Sequence, residues 1–582
     1  MQRPESSIAI TRAAARPEGA PREVDPVTAE IIRSSLNSAA NQMKQALVRT
    51  AYTPVIYETL DFAAAIYDRH CRLLAQARSL PIFMGTLSFC VQAAIDVQEE
   101  PLEPGDILLY NWPYGTGSHA QDAALVMPVF LADGTLMGYA AIKAHWMDVG
   151  ATDFYATDTT DVYQEGTFFP GVKLFRRGKP VAEMFRLITQ NSRVPSAAKG
   201  DVHAQATGVM VGAQELRRVI EAHGRETFED AVERIFDHGE AVVRSWLEKL
   251  PDGRYVSSGC MDNDGVSDDP IPFEVAVEIK GSGVCVDLSN APGRTAGPVN
   301  CPLPTTVSAA RVAIAMLAGS SEGVNEGYFR PLEIVTRRGT LFHAEPPAPC
   351  FLYAWPAMQA MEVIYRAIAN VHPEAVPASS GGDISGVMIY GIHAKSGEPW
   401  ATGSPLPCGQ GGHMRADGAT LMHIAESATR FPPVEVSEAR FPLLFERLEL
   451  EPDSCGPGKH RGGLALRVDI RCMQDSRAIT VLEHTKSAPW GAGGGGEGES
   501  NSAVLRYPDG SARNLSKCTG LPLPAGSVIS VHTGGGGGWG NPAERATAAV
   551  RADIDNGYVT ERHARMHYPL ALLSLPSKGS RG

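Results

Sequence analysis

The ten cysteines of this 582-residue chain include no Cys-x-x-Cys pair, so the sequence offers neither a zinc ribbon nor a dithiol redox motif. Scattered from position 71 to position 518, they read as reduced thiols of a cytoplasmic protein. No apolar run reaches the roughly 18 residues that a membrane-crossing helix needs. The opening "MQRPESSIAITRAAARPEGAPREVDP" also lacks the continuous apolar core of a secretory signal. Positive charge is short as well. Fifty-two Lys and Arg face 65 Asp and Glu, a net charge of −13, which excludes a broad nucleic-acid-binding surface.

Glycine and proline are plentiful, at 59 and 42 residues, and imply turns and irregular segments between elements of modest length. The chain is too long for one hydrophobic core, and 43% hydrophobic with 20% charged residues fits a globular protein. The expected fold class is α+β: a large multi-subdomain body of mixed antiparallel sheets and helices, with a β-rich C-terminal portion. Residues 1–24 read as a disordered leader, 25–250 as an N-terminal α+β portion, 251–432 as a mixed middle portion, and 433–582 as a β-rich portion ending in a helix.

Periodicity places a long helix over 25–52, with Asp25 before Pro26 as its N-cap and Ile31, Leu36, Met43, Leu47 and Val48 on its apolar face. Turn signals between apolar runs predict antiparallel strands through 60–185, beginning with a hairpin that turns at Asp68–His70. Helices are expected over 196–249, around 305–319 and 357–371, and over 544–568; strands are expected over 251–300 and again from about 433.

Chemistry concentrates in two pairs with the same spacing. "NWPYGTGSHAQDAALVMPVF" carries His119 and Asp122, and "AHWMDVGATD" carries His145 and Asp148. Upstream, "YETLDFAAAIYD" adds Glu58 and Asp61 before a strand. Neutral imidazoles and carboxylates delivered from neighbouring strand ends are what a catalytic divalent metal requires, with a position left open for water or substrate. The competing reading is that these are solvated or hydrogen-bonded polar groups at sheet edges.

The glycine runs "WGAGGGGEGES" and "HTGGGGGWGNP" invite an anion-binding reading. Neither has the Gly-Lys-Ser/Thr ending of a phosphate loop, which favours close-approach loops that only glycine can form. In "LPCGQGGHMRADGA", Cys408, His413 and Asp417 form either a nucleophile pair with its neighbour or a polar loop. Asn191 and Arg193 offer a fork for an anion, and Asp201 reads as a helix cap.

Taken in order, "RTAYTPVIYETLDFAAAIYD", "PGDILLYNWPYGTGSHAQD", "AHWMDVGA", "YQEGTFFPGVKLF", "NSRVPSAAKGDVHAQ", "PCGQGGHMRADG", "DSCGPGKHRGG", "APWGAGGG" and "TGGGGGWGNPAER" make a specific pattern. The chain resembles the hydantoinase B family, the B-type subunits of ATP-dependent hydantoinases, 5-oxoprolinases and caprolactamase, which are related to acetone and acetophenone carboxylase subunits. The resemblance implies an A-type partner with an actin-like ATPase fold that binds ATP and phosphorylates the substrate, in a hetero-oligomer such as (AB)2. It implies a divalent metal (zinc, manganese or iron) in the B-type chain, where the activated intermediate is hydrolysed or carboxylated.

Carried onto matching positions, the implied ligands are Asp61, His119, Asp122 and His145. Asp148 and Glu58 are the implied catalytic neighbours, Asp148 orienting His145 or a water, and Glu165 is a further polar group nearby. The expected activity is ATP-dependent opening of a hydantoin, 5-oxoproline or lactam ring; the alternatives are a component of a ketone carboxylase and a non-catalytic structural subunit. Two stretches depart from the family pattern: "NWPYGTG", where many members read Asn-Asp-Pro-Tyr-x-Gly-Gly, and "DVGATDFYATD". Trp112 and Thr116 are thereby expected to mark an altered pocket.

Overall fold

A computed structural model describes residues 9–12, 24–319, 323–382, 384–423 and 429–573. They divide into two compact units, residues 1–364 with 425–432, and residues 365–424 with 433–582. The architecture is α+β, built of helices and largely antiparallel sheets.

The first unit is organised around a seven-stranded antiparallel sheet. Its order is Leu73–Gln76, Phe62–Asp68, Leu136–His145, Asp122–Phe130, Ile107–Tyr110, Pro170–Arg176 and Lys179–Pro180. The hairpin turning at Asp68–His70 is present, with Ala65 opposite Gln76. One face is covered by the helices Pro26–Thr50 and Pro195–His223, whose apolar sides share a core with Phe62, Ala64, Ile66, Leu125 and Ile142. The other face lies against the helix Pro81–Asp96, where Lys143 meets Phe83 and Thr86. Covering on both faces explains why Phe62–Asp68 is buried at every position, including the alternate ones that a half-exposed strand would show to water.

Asp25 caps the first helix, accepting a hydrogen bond from Thr28 N at 2.9 Å. The buried face runs through Ile32, Leu36, Met43 and Leu47, whereas Ile31 is 49% exposed. Asp201 does not cap the helix that follows it. It lies inside Pro195–His223, and its carboxylate takes Tyr52 N (2.7 Å), Thr53 N (3.2 Å) and Thr53 Oγ1 (2.6 Å). It thereby satisfies the start of the short helix Pro54–Tyr57, which has no side-chain cap of its own. Asp201→Ala would orphan two backbone N–H groups and is expected to cost about 2–4 kcal/mol in urea unfolding; a loss below about 0.5 kcal/mol contradicts this account.

A second sheet in this unit runs in the order Ala9–Arg12, Leu332–Thr336, Gly283–Asp287, Ile271–Lys280, Gly253–Met261. Part of the leader expected to be disordered is therefore paired backbone, with Ala9 opposite Thr336. Residues 1–8 and 13–23 lie outside the described residues.

The second unit holds a four-stranded and a five-stranded antiparallel sheet. Its last stretch is not one continuous helix. It breaks into Thr547–Asp555, Glu561–His567 and Pro569–Leu573, with Gly557 in a left-handed turn at φ 73°. The glycine runs pack backbone to backbone against neighbouring segments of the same unit. Gly409 N donates to Gly534 O, Gly463 N to Gln410 O, Gly536 N to Gly463 O, and Gly538 N to Gly496 O, at 2.7–3.0 Å. Asp417 is committed to this unit's framework, taking both outer nitrogens of Arg545 at 2.7 and 2.8 Å. Cys408 is buried beside Met422 O, and His413 Nδ1 faces Arg415 N. Among the described residues no helix is long and apolar enough to cross a membrane.

Candidate metal centre

His119, Asp122 and His145 come together because two neighbouring strands end side by side. Asp122 opens the strand Asp122–Phe130, His145 closes Leu136–His145, and the two are direct partners in the ladder. His119 arrives from the preceding turn, which follows the short helix Pro113–Thr116 and reverses at Gly117 with φ 67°, a conformation that glycine adopts without strain. Lys143, fully buried, braces that turn by donating to Thr116 O (3.2 Å), Ser118 Oγ (3.3 Å) and Thr86 Oγ1 (2.6 Å).

Three atoms form a near-equilateral triangle. His119 Nε2 is 3.1 Å from His145 Nδ1 and 3.1 Å from Asp122 Oδ1, and His145 Nδ1 is 3.0 Å from that same oxygen. The side chains are 4%, 1% and 4% exposed as residues in the order His119, Asp122, His145. Outer groups set their orientation. His119 Nδ1 lies 2.9 Å from Phe351 O; a carbonyl only accepts, so that nitrogen carries the proton and Nε2 presents a lone pair. Tyr353 donates its hydroxyl to Asp122 Oδ2 at 2.8 Å, leaving Oδ1 for the triangle.

His119 Nε2 and Asp122 Oδ1 face each other at 3.1 Å, a contact that either a proton on Nε2 or a metal ion between the two atoms makes favourable. The edge lengths also suit a metal. Ligands at right angles on bonds of ~2.1 Å stand ~3.0 Å apart. The donor set, two imidazoles and one carboxylate, matches the zinc, manganese and iron group of divalent ions.

Burial works against charge throughout, and the partners decide the outcome. Burial pushes Asp61 up to about 6 despite the imidazoles nearby. Burial also opposes ionisation of Asp122, but His119 and His145 outweigh it and hold that carboxyl well below the usual range. Asp61 touches the group electrostatically and through its backbone, His145 N donating to Asp61 O at 3.1 Å; the triangle is formed without its carboxylate.

Asp148 faces elsewhere. It takes Arg193 Nη1 and Arg193 N, both at 2.5 Å, and Gly150 N at 3.1 Å. That pairing holds the loop after His145, and it occupies the Arg193 fork that the sequence offered to an anion. Glu58 ends the helix Pro54–Tyr57, outside the triangle, and Asn191 ends Ala182–Gln190. Thr116 is buried with its carbonyl on Lys143. Trp112 instead joins an aromatic group with Tyr114, Tyr163 and Phe168 at centroid separations of 5.3, 6.1 and 4.8 Å.

Sequence reasoning missed Phe351, Tyr353 and Tyr155. Tyr155 stands edge-on to His119 at 5.5 Å and to Phe351 at 4.8 Å. It is half-buried, whereas the three triangle residues, Phe351 and Tyr353 are buried. The density of rings in "CFLYAW" was the one available signal for Phe351 and Tyr353.

Glu165 is also fully buried, and burial pushes its carboxyl up to about 8. A carboxyl raised in the folded state contributes stability that is present below its ordinary value near 4.5 and lost as pH rises through about 8. The stability of the wild type relative to Glu165→Gln should therefore fall between pH 5 and pH 9 in urea unfolding. A constant difference contradicts it.

The profile of the family described as hydantoinase B/oxoprolinase matches residues 25–542. A protein of Pseudomonas sp. (strain NS671), provisionally named as the B-type subunit of a D-/L-hydantoinase, is 29% identical over 95% of this chain and 96% of its own length. The beta chain of the Pseudomonas jessenii caprolactamase is 26% identical over 94% of this chain and 96% of its length. The crystal structure of ATP-dependent caprolactamase from that organism superposes with a TM-score of 0.87 at 25% identity, covering 96% of this chain and 98% of the other. A nucleotide-free acetone carboxylase structure superposes with a TM-score of 0.84 at 17% identity, covering 96% and 81%, a likeness of fold.

Proposed function

Because the chain belongs to the hydantoinase B/oxoprolinase family, we propose that it is the B-type subunit of an ATP-dependent cyclic-amide hydrolase, opening a hydantoin, 5-oxoproline or lactam ring. The observation that carries the reading is the buried triangle of His119 Nε2, Asp122 Oδ1 and His145 Nδ1, a set of two imidazole nitrogens and one carboxylate oxygen that suits a divalent cation. These three residues would hold the metal, and Asp61, whose carboxylate stands outside the triangle, would serve as a fourth ligand by turning inward.

An unstrained cyclic amide is a poor electrophile, and phosphorylation of its oxygen makes the carbon open to water. Expulsion of the ring nitrogen, protonated as it leaves, then opens the ring to an acyl phosphate whose hydrolysis releases phosphate. The phosphorylation is assigned to an A-type ATPase partner, because the relatives are named as B-type and beta subunits. When bound, a divalent ion supplies Lewis acidity, polarising water or the activated amide carbon's oxygen. The chain's own residues do the rest. Phe351 O keeps His119 in the tautomer with Nε2 free, Tyr353 turns Asp122 Oδ1 inward, and buried Phe351 and Tyr353 exclude bulk water from the group.

The test is turnover of the chain purified with its ATPase partner. Ring-opened product from hydantoin, 5-oxoproline or caprolactam, dependent on ATP and lost on metal removal, is the expected result. Carboxylated product from acetone and bicarbonate would assign the chain to the carboxylases instead. Metal uptake without turnover across the panel would leave a structural subunit.

A further inference from the structure

Two backbone N–H groups of the turn at Cys350–Tyr353 find their acceptor in a side chain 185 residues away in sequence. Glu165 Oε1 accepts from Cys350 N at 2.7 Å, from Phe351 N at 2.9 Å and from Thr159 Oγ1 at 3.0 Å. Its other oxygen, Oε2, is buried with no hydrogen-bond partner. The same stretch also holds the segment leading into the turn, Val162 N donating to Pro347 O at 3.1 Å. The turn in turn carries both outer groups of the triangle, Phe351 O on His119 and Tyr353 OH on Asp122.

We infer that Glu165 is a positioning residue, which sets the geometry of the His119–Asp122–His145 triangle through the turn Cys350–Tyr353. The inference deepens the proposed function and rests on reading the triangle as a metal centre. Glu165 touches none of the three triangle residues; it acts through one carboxyl oxygen that gathers two adjacent N–H groups, which buried backbone rarely leaves unpaired. Leu352 N also donates to Pro298 O at 2.9 Å, so the turn keeps a second anchor. Without the Glu165 oxygen, Cys350 N and Phe351 N lose their acceptor, and the end of the turn that presents Phe351 O to His119 loosens. Gln keeps an accepting oxygen at the same reach, whereas Ala removes it and Asp stops one methylene short.

The experiment measures Mn2+ and Zn2+ affinity of the full chain by competition with a chelating dye, for the wild type, Glu165→Ala, Glu165→Gln and Tyr353→Phe. It is paired with crystal structures of the metal-free Ala and Gln variants. Glu165→Ala is expected to weaken both ions by about 10- to 100-fold, the range for groups that orient ligands, and Glu165→Gln to stay within about threefold of wild type. The double variant Glu165→Ala/Tyr353→Phe should lose less than the product of the two single losses, because both act through one turn. In the crystals, Phe351 O should leave hydrogen-bond reach of His119 in the Ala variant and keep it in the Gln variant.

An Ala variant with unchanged affinity and an unmoved turn overturns the inference, as does a Gln variant as impaired as Ala. If Ala does not fold, Glu165→Asp takes its place with the same expectations. If the wild type takes up neither ion, the reading of the triangle as a metal centre fails, and the crystal structures alone decide whether Glu165 places the turn.

Discussion

Asp122→Asn is expected to lose divalent metal by more than about 100-fold and to abolish ATP-dependent ring opening within detection. Asp122 is the hub of the triangle, its Oδ1 lying 3.1 Å from His119 Nε2 and 3.0 Å from His145 Nδ1. The substitution keeps shape: the amide oxygen can still accept from Tyr353 at the Oδ2 position, while the NH2 takes the Oδ1 position and can donate to an imidazole nitrogen, so the fold should survive. It removes the one charge that two imidazoles and a buried setting are arranged around. An anionic oxygen is the harder and stronger ligand for a divalent ion, and losing a ligand itself costs more than the 10- to 100-fold seen when an outer partner is lost. Metal content by elemental analysis and turnover on the same preparation check this. Full metal occupancy with wild-type activity would mean that Asp122 is no ligand.

The second large effect concerns architecture. Gly536→Ala is expected to destabilise the second unit by more than about 4 kcal/mol, a size reserved for severe steric conflict. A Cβ at Gly536 would fall inside the contact distance of Gln410 O and Gln410 C, and one at Gly462 would meet Gly536 O in the same way. These are backbone atoms hydrogen-bonded to further glycine segments, so no side chain can swing aside. Gly293→Ala is the control: nothing lies within 4 Å of its Cβ position, and it should change little. Thermal unfolding of the two variants decides it, and a Gly536→Ala protein melting within about 2 °C of wild type contradicts the account.

Local chemistry was readable from sequence wherever a pattern was local. The helix at Asp25–Pro26, the hairpin at Asp68–His70 and the pairs that deliver His119, Asp122 and His145 all depend on residues a few positions apart. The helix Pro81–Asp96 escaped because it is buried on several sides, between the sheet and the helix Leu303–Ala318, and so carries no polar stripe to give a period. Choosing Ile31 over Ile32 for the buried face was a slip of one position, which on a helix is a turn of about 100°.

The supporting groups were invisible for a different reason. Phe351 and Tyr353 stand more than 200 residues from the side chains they orient, and hydrophobic periodicity says nothing about such pairings. Asp148 matched His145 in spacing as Asp122 matches His119, yet it lies beyond the strand end, where alternation no longer governs direction. There the left-handed turn at Gly150, φ 78°, accompanies its capture by Arg193. The glycine runs were legible as close-approach segments from composition, because only residues without a Cβ let several backbones touch.

The central claim is that one divalent ion is held by His119, Asp122 and His145. Anomalous diffraction from crystals of the wild-type chain grown with Mn2+ or Zn2+, collected on both sides of the metal's absorption edge, tests it most directly. The account predicts one strong anomalous peak bonded to His119 Nε2, Asp122 Oδ1 and His145 Nδ1, absent in Asp122→Asn. A peak elsewhere, or a triangle that stays without one at saturating metal, contradicts it.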